Sequence, residues 1–429
     1  MKFNVIVEGF IHGVSAAVEA ATRGAEKNFS GADKINIKSC VDEIEASAFG
    51  GLMSVKTTFS DLVVDSLGYK FEEEGIATVN AKDLMTVLNS FAIDEEVIFE
   101  LKDGSKDGKA TKELSITMAS DTDQFQTLPC YDNSVNLPAK SDAFSKTLEL
   151  NRELLLYGLE KVAFAIGFEG TKQTYLYASL RTAEDNIKFA AGTGTRHIVL
   201  DISGKDVVKS TPKESSVLLH KSHIAVFSKI LHALKSQTVT IKESKDATSS
   251  AFQVVIECSP HEIILIGSDP TIKWIDENVI LDMDYTTKMV TRIDDWAYAA
   301  KGTTATFNDQ VKKERRAHKA VIDVDVAKKE IDIKTNEMMR SNRKVPVVEL
   351  DTKESTLPSF NCVSSYLREI PTVGEEGSYV QMEMIGPKKP VVFHYHANKN
   401  VAERDTIEKK DTATGLTEKM AIFFATYSA

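Results

Sequence analysis

The chain has 429 residues, 42% hydrophobic and 27% charged, which is typical of a soluble globular protein with two to four domains. It contains no run of 18 apolar residues, so no membrane span is expected, and MKFNVIVEGF predicts a β-strand and not a signal peptide. A net charge of −11 excludes a protein that coats nucleic acid with its whole surface, although a single basic face remains compatible with DNA contact.

Four cysteines are widely spaced and form no CxxC pair: Cys40, Cys130, Cys258 and Cys362. This spacing predicts reduced thiols in a cytoplasmic protein.

The first third of the chain alternates predicted strands with two helices. After the strand KFNVIVEG comes a helix that ends at Gly24, with the apolar stripe Ile11, Val14, Ala17 and Val18. Several strands later, a second helix over 82–91 carries Leu84, Val87, Leu88 and Phe91 at i, i+3, i+4 and i+7. FQTLPCYD closes this third, and a linker with Pro138 follows.

The rest of the chain repeats this order of elements twice. In the middle third, RELLLYGLEKVAFAIG predicts a helix with Leu155, Leu159, Val162 and Ile166 on one face. A second helix in HKSHIAVFSKILHAL presents Phe227, Ile230, Leu231 and Leu234. In the last third, DDWAYAAKG predicts a helix, and FNCVSSYLREI repeats the stripe as Val363, Tyr366, Leu367 and Ile370.

The stripes of the second helices begin at near-constant spacing, 227 − 84 = 143 and 363 − 227 = 136 positions apart. This spacing predicts an α+β fold in which one two-helix, sheet-backed unit occurs three times, with domains at 1–138, 139–278 and 279–429. The third domain carries polar insertions. The alternative is three unrelated core helices in a large α+β protein.

No motif in the chain predicts catalysis, a cofactor or a metal site. AGTGTRH lacks the GxxxxGK[ST] pattern of a phosphate loop and is followed by a strand. His394 and His396 alternate on one strand, but no spacing supplies a third ligand. No order of residues typical of a catalytic triad is present.

Basic residues occur on the polar faces or ends of most predicted helices. Such residues usually serve only solvation, and they would form a DNA-facing surface only if the helices all faced one way, as in repeats arranged around an axis. The candidate DNA-facing residues are Arg23, Lys27, Lys82, Arg152, Lys161, Lys221, Lys229, Lys235, Lys301 and Arg368.

Several segments, in order, resemble the bacterial β sliding clamp, the processivity subunit of DNA polymerase III. The segments are LNRELLLYGLEKVAFAIG, TYLYASL, GTGTRHIVL, FNCVSSYLREI and FQTLPCYD. The resemblance implies three similar domains with helices inside and sheets outside, and two chains joined head to tail in a ring. Duplex DNA would pass through the ring without its bases being read.

The resemblance also implies a hydrophobic pocket that binds short peptides of the DNA polymerase and the clamp loader. By matching segments, the pocket would include Leu176, Thr193, Thr195, Arg196, His197, Ile198, Pro270, Ile275, Phe423, Phe424, Ala425 and Thr426. The family's Asp-Gly-His-Arg is replaced by residues 194–197, and its terminal Met-Pro-Met is absent. A clamp that diverges in this way would suit a phage or another mobile element.

The sequence therefore predicts a cytoplasmic, homodimeric DNA sliding clamp that is not an enzyme and binds no membrane. One alternative is an interaction scaffold of the same fold that never encircles DNA. A second alternative is an enzyme built on an α+β repeat. For the apolar C-terminal strand, the alternative to a partner-binding role is that Ile422 and Phe424 simply fill the core.

Overall fold

The computed structural model divides the chain into two compact units. Unit 1 comprises Met1–Tyr157, Lys209–Ser215 and Leu219–Ile272, and unit 2 comprises Gly158–Val208, Ser216–Leu218 and Lys273–Ala429. The structure describes residues 1–22, 29–59, 68–106, 109–167, 172–205, 207–233, 237–245, 252–266, 272–274, 276–304, 319–335, 341–374, 376–386, 388–396, 409–410, 417–424 and 427–428. Within these ranges, no helix has the length and apolarity needed to cross a membrane.

The elements are numbered in chain order. Those before residue 140 are β1 (Lys2–Ile6), α1 (Val7–Thr22), β2 (Lys34–Ser39), β3 (Ile44–Phe49), β4 (Met53–Phe59), β5 (Lys70–Glu73), β6 (Gly75–Asn80), α2 (Ala81–Leu88), β7 (Glu96–Lys106), β8 (Lys109–Met118) and β9 (Phe125–Pro129).

Those between residues 140 and 285 are β10 (Phe144–Asn151), α3 (Arg152–Ala163), the 3-10 helix η1 (Gln173–Leu176), β11 (Tyr177–Ala183), β12 (Asn186–Gly192), β13 (Arg196–Ser203), β14 (Val208–Thr211), β15 (Ser215–His220), α4 (Lys221–Ala233), β16 (Thr238–Ser244), β17 (Gln253–Cys258), β18 (His261–Ile266) and α5 (Asn278–Leu281).

The remaining elements are β19 (Thr287–Arg292), α6 (Ile293–Thr304), β20 (Lys319–Asp325), β21 (Glu330–Thr335), β22 (Ser341–Thr352), β23 (Phe360–Val363), the 3-10 helix η2 (Ser364–Arg368), α7 (Glu369–Val373), β24 (Tyr379–Met384), β25 (Val391–His396), β26 (Lys409–Lys410), β27 (Thr417–Phe424) and β28 (Tyr427–Ser428).

Unit 1 contains a five-stranded sheet, β5-β1-β7-β8-β9, and a nine-stranded sheet, β14-β10-β16-β17-β18-β4-β3-β2-β6. Helix α1 packs on this framework through aromatic rings. Phe10 lies 4.9 Å from Phe99, whose ring in turn stacks on Phe3 at 4.9 Å. A Cβ at Gly13 would lie 1.9 Å from the Phe59 ring, so the absence of a side chain there lets this ring reach the helix.

Two helical predictions in unit 1 need correction. The buried face of α1 consists of Val7, Phe10, Gly13, Val14, Ala16, Ala17, Ala20 and Ala21, whereas Ile11 and Val18 of the predicted stripe are only half-buried. Small alanines fit the close approach to the sheet better than branched side chains do. Helix α2 ends at Leu88, three residues before Phe91, because the N–H groups of Ser90 and Phe91 bond to carbonyls three residues back, those of Val87 and Leu88, and not four.

Unit 2 contains one long sheet with the strand order β15-β11-β12-β13-β27-β25-β24-β19-β22-β21-β20-β23-β28, and β26 pairs with β27. Its core includes the buried Leu159, Val162 and Ile166 of the predicted stripe. The helix predicted over 363–370 is a 3-10 turn followed by the short α7, so Leu367 and Ile370 are buried while Val363 and Tyr366 are half-buried.

Three series of four hydrogen-bonded strands follow the same pattern, and we call the strand that begins each series its first strand and the one that ends it its last strand. They are β1-β7-β8-β9, β10-β16-β17-β18 and β19-β24-β25-β27. Three meanders, β2-β3-β4, β11-β12-β13 and β20-β21-β22, accompany them. The elements predicted for domain 139–278 occur in both units, with β16, β17 and β18 in unit 1 and β12 and β13 in unit 2. The three domain boundaries therefore stay a prediction.

Candidate functional site

The register of β13 against β27 organises the predicted partner pocket in unit 2. Arg196 lies opposite Phe424, His197 opposite Phe423 and Ile198 opposite Ile422. Because side chains alternate along a strand and directly opposed residues share a face, Arg196 and His197 point to opposite sides of the sheet. The residues predicted to line one pocket are thus divided between two faces.

On the first face, Tyr366 of η2 joins the two strands. Its ring stacks on Phe424 at 5.3 Å with an interplanar angle of 19°, and the Arg196 guanidinium lies 5.4 Å from its centre. The hydroxyl groups of Tyr366 and Thr195 are 2.6 Å apart. Tyr366 is therefore held by stacking, by a cation–π contact and by a hydrogen bond.

Arg196 is itself held by two further partners on this face. It forms an ion pair with Glu369 of α7, and its Nη2 donates a hydrogen bond to the Phe164 carbonyl at 2.8 Å. Burial raises the pKa of Glu369 to about 7, against the opposing charge of Arg196. The second carboxylate oxygen of Glu369 is buried without a hydrogen-bond partner. The Arg196 guanidinium is therefore engaged by contacts within the protein.

On the second face, His197 packs between aromatic rings. Its ring lies 5.1 Å from Phe423 and 5.6 Å from Trp274, the latter edge to face. A Cβ at Gly192 would lie 2.3 Å from the His197 ring, so only glycine leaves room for the imidazole there. Burial lowers the pKa of His197 to about 4, which makes it neutral at pH 7.

The segment after β18 is anchored to this second face. Trp274 donates from Nε1 to a Glu277 carboxylate oxygen at 2.7 Å, and Glu277 also pairs with Arg181 of β11. Trp274 and Tyr285 pack against the buried cluster Ala190, Val199, Val392, Ala421 and Phe423. This face is therefore covered by the chain's own residues.

Only part of the predicted pocket can meet a ligand. Ile198, Phe423 and Phe424 are buried, while Leu176, Thr193 and Thr195 are half-buried. We call Leu176, Thr193 and Thr195, together with the half-buried Tyr175 and Tyr366, the rim. Pro270, Ile275, Ala425 and Thr426 lie outside the described residues.

The candidate DNA-facing residues of unit 1 differ in their exposure and in their contacts with carboxylates. Lys82 is 66% exposed and lies 3.2 Å from Asp33, and Lys229 lies 3.8 Å from Glu19 of α1. The Arg152 side chain is only 18% exposed and points to Glu153 and to the Leu231 carbonyl. Lys221 is half-buried, and Arg23, Lys27 and Lys235 lie outside the described residues.

In unit 2, Lys301 and Arg368 are exposed, whereas Lys161 donates to the Val373 carbonyl at 2.9 Å. Convergence of these residues on one cavity stays a prediction. Helix α1 has no lysine or arginine and carries Glu8 and Glu19. Its described residues thus contribute negative charge.

Tyr366, Glu369, Tyr175 and Trp274 were not recognised from the sequence as site residues. Tyr366 occupies an apolar position of the predicted stripe, so periodicity assigned it to the core. Glu369 comes directly after Arg368 in a charged pair that is typical of a solvated helix end. The half-polar character of tyrosine was the only signal available for Tyr366.

Comparisons with known proteins give the same architecture. No protein-family model matches the chain, and no curated protein matches it by sequence. Among solved structures, the DNA polymerase sliding clamp from Bacillus subtilis matches with a TM-score of 0.75 and 12% identity, over 100% of this chain and 99% of that one. The Pseudomonas aeruginosa sliding clamp with ligand gives 0.75 and 12%, with both chains covered at 100%.

A putative DNA polymerase III beta subunit from Eubacterium rectale gives a TM-score of 0.74 and 14% identity, again over 100% of both chains. Matches that span both chains from end to end extend the likeness to all three repeats. The predicted α+β clamp fold is thereby confirmed. The chain has the three-domain fold of the DNA polymerase III beta subunits, the bacterial sliding clamps.

Proposed function

We propose that two copies of this chain form a closed ring that encircles duplex DNA and tethers a DNA polymerase, without catalysing a reaction. The observation that carries this proposal is the repeated pairing of strand edges. In unit 1, the last strand β18 pairs with β4, the third strand of a meander. In unit 2, the last strand β27 pairs in the same way with β13.

One last strand and one third strand have no such partner among the described residues. Strand β9 pairs only with β8, and the Ser341–Pro346 half of β22 pairs only with β21. Unpaired edges are sites where another chain adds a strand. In a head-to-tail dimer, β9 of each copy would pair with β22 of the other, which closes the ring by the rule that each unit already follows.

Exposed apolar side chains accompany both edges. Phe125 of β9 is 60% exposed, and near β22 Tyr298 of α6 is 65% exposed. Arg343 of β22 donates to the Tyr298 hydroxyl at 3.1 Å and thereby holds that ring beside the open edge. Large exposed aromatic residues at an unpaired edge favour burial by a second copy.

Sliding requires attraction to phosphates without fixed contacts to bases. Lys82, Lys229, Lys301 and Arg368 are exposed and suit this role. The rim in unit 2 would bind short peptides of the polymerase and of the clamp loader. Half-buried Tyr175, Leu176 and Tyr366 offer apolar surface, and the two threonines offer hydroxyl groups.

The test is topological. A duplex with one streptavidin-blocked end is incubated with the protein, its second end is then blocked, and retention is measured in high salt. A ring stays on the closed DNA and is released when a restriction enzyme cuts it. Light scattering in parallel should give twice 47.3 kDa. Equal loss of protein from blocked and open DNA would reject encirclement.

The acidic helix α1 favours one rival, a clamp-fold scaffold that does not encircle DNA. Glu19 lies 3.8 Å from the Lys229 ammonium, and its negative charge reduces the attraction of Lys229 for phosphates. A scaffold would still dimerise and bind peptides but would not be retained on blocked DNA. The same assay therefore separates the two functions.

A further inference from the structure

Unit 1 contains a cavity of about 710 Å³ between three segments of chain. The segments are the turn before β2 with Phe29, the end of β3 with Phe49, and residues 132–136. This volume falls in the range of about 300–1,000 Å³ that is usual for ligand sites.

The outer wall of the cavity is fixed in place. Nδ2 of the buried Asn36 donates to the Val135 carbonyl at 2.8 Å, and the Val135 N–H donates back to Oδ1 of Asn36 at 2.9 Å. The Thr78 hydroxyl donates to the same Oδ1 at 2.9 Å. Because Val135 is clamped from both sides, residues 132–136 form a preformed wall.

The inner surface combines an apolar corner with one cation. Phe29 and Phe49 meet edge to face at 4.9 Å, and a Cβ at Gly31 would lie 2.5 Å from the Phe29 ring, so glycine keeps this corner open. The Lys34 ammonium lies 4.6 Å from the centre of the Tyr131 ring. Among the described residues, no carboxylate lies within ion-pair distance of Lys34.

The wall also offers unused backbone groups. Within the described part of the chain, the N–H groups of Asn133 and Ser134 make no hydrogen bond, and both residues are exposed. A second cavity of about 410 Å³ shares Asp132 and Ser134 with the first and reaches the exposed Ile76. The two cavities therefore adjoin at Asp132 and Ser134, and free donors between them suit an extended chain better than a compact molecule.

The three segments around the cavity have the same places in their repeat as three segments near β13 in unit 2, two of them at the rim and one on the second face. There, η1 precedes β11, Thr193 and Thr195 connect β12 to β13, and Trp274 lies in the segment that leaves the repeat. In unit 1, the turn before β2, the end of β3 and residues 132–136 correspond to these in order.

We propose that this cavity is a second peptide-binding site, which accepts a short extended peptide with an aromatic or aliphatic side chain near a carboxylate. The apolar side chain fills the corner between Phe29 and Phe49, and the carboxylate meets Lys34. The peptide backbone accepts hydrogen bonds from the wall. The choice of a peptide as ligand rests on the proposed function, but the cavity and its charge do not.

The experiment uses the full chain and an array of N-acetylated hexapeptides in which phenylalanine or leucine stands two residues from aspartate. Versions with Asn for Asp and Ala for Phe serve as peptide controls. Binding is measured by fluorescence polarisation to the wild type, Lys34→Glu, Phe49→Ala and Tyr366→Ala. Lys38→Glu, an equal charge reversal on the same strand but outside the cavity, is the matched control.

We expect the array to contain peptides whose affinity, relative to the wild type, falls at least tenfold in Lys34→Glu and in Phe49→Ala. The affinity of the same peptides should stay within twofold in Lys38→Glu and Tyr366→Ala. Replacement of the peptide's aspartate should abolish the effect of Lys34→Glu, which a folding defect would not do. Binding that responds only to Tyr366→Ala, or no binding by any peptide, overturns the second site. Binding sensitive to Lys34 but not to Tyr366 keeps this inference even if the rim fails as a partner site.

Discussion

The hydroxyl groups of Thr195 and Tyr366 lie 2.6 Å apart, although the residues are 171 positions apart in the sequence. This bond ties the β12–β13 connection to η2. Tyr366 also stacks on Phe424 and contacts the Arg196 guanidinium with its ring. It therefore connects η2 to both strands at the rim of unit 2.

The first prediction concerns this tyrosine. Tyr366→Phe should lower the free energy of unfolding by about 1 kcal/mol, because one hydrogen bond is lost while the stacking remains. Tyr366→Ala should in addition lower the affinity for the cognate polymerase peptide at least tenfold, because the rim loses its largest apolar surface. Calorimetric titration measures the affinity. Equal peptide binding by Tyr366→Ala and wild type would show that the rim is not the partner site.

The second prediction concerns the pair Arg196–Glu369. Arg196→Met should destabilise the fold by about 3–5 kcal/mol at pH 8, because it leaves a buried carboxyl without its partner. Glu369 has a pKa of about 7 in the folded state, above its ordinary value of 4.5. Its contribution to stability is therefore complete below pH 4.5 and is lost as the pH rises through 7. In Glu369→Gln this loss between pH 5 and 8 should disappear from urea unfolding curves.

The third prediction has the opposite sign. Burial lowers the pKa of His197, His223 and His261 to about 4, below the ordinary value of 6.5. The unfolded state binds these protons first, so stability should fall as the pH drops from about 6.5 to 4, by on the order of 3 kcal/mol per histidine. His197→Phe should reduce this slope, whereas His12→Asn at an exposed position should not. An unchanged slope in His197→Phe would contradict the assignment.

The fourth prediction concerns the ring. Phe125→Glu or Tyr298→Glu should raise the dimer dissociation constant at least tenfold, because a charge would be buried where an aromatic ring is expected. Val41→Glu changes an equally exposed apolar residue in the β2–β3 turn and should leave the dimer intact. Sedimentation velocity over a concentration series gives the constants. A dimer unaffected by both changes would place the interface elsewhere.

The fifth prediction concerns the end of the chain. Tyr427 and Ser428 pair with Asn361 and Phe360 of β23, which leads directly into the η2 turn that carries Tyr366. Removal of residues 425–429 should therefore leave the dimer folded. It should weaken binding of the polymerase peptide by about 1–3 kcal/mol, which is a tenfold to hundredfold loss of affinity. Fluorescence polarisation measures the peptide, with light scattering as the control for the dimer. Unchanged affinity in an intact dimer would exclude the tail from the partner site.

Local patterning was enough to predict the α+β class, the repeated order of elements and the buried faces of several helices. Phe227, Ile230 and Leu231 are buried as the helical period predicts. Periodicity works here because a helix that buries one face carries its apolar residues at the helical period, so the sequence of the segment alone indicates that face. It was less successful for α1, where close contact with the sheet selected alanines and Gly13.

The partner site depended on contacts that periodicity cannot describe. Whether Arg196 or His197 faces Tyr366 depends on the register of β13 against β27, and a shift by one residue would exchange the two faces. The free edges of β9 and β22 likewise become visible only when every other pairing is known. The sequence by itself determined which segments fold into helices and strands, because those preferences are local. Only the tertiary structure decided which side chains meet, because their contacts join residues that are distant in the sequence, such as Thr195 and Tyr366, which are 171 positions apart.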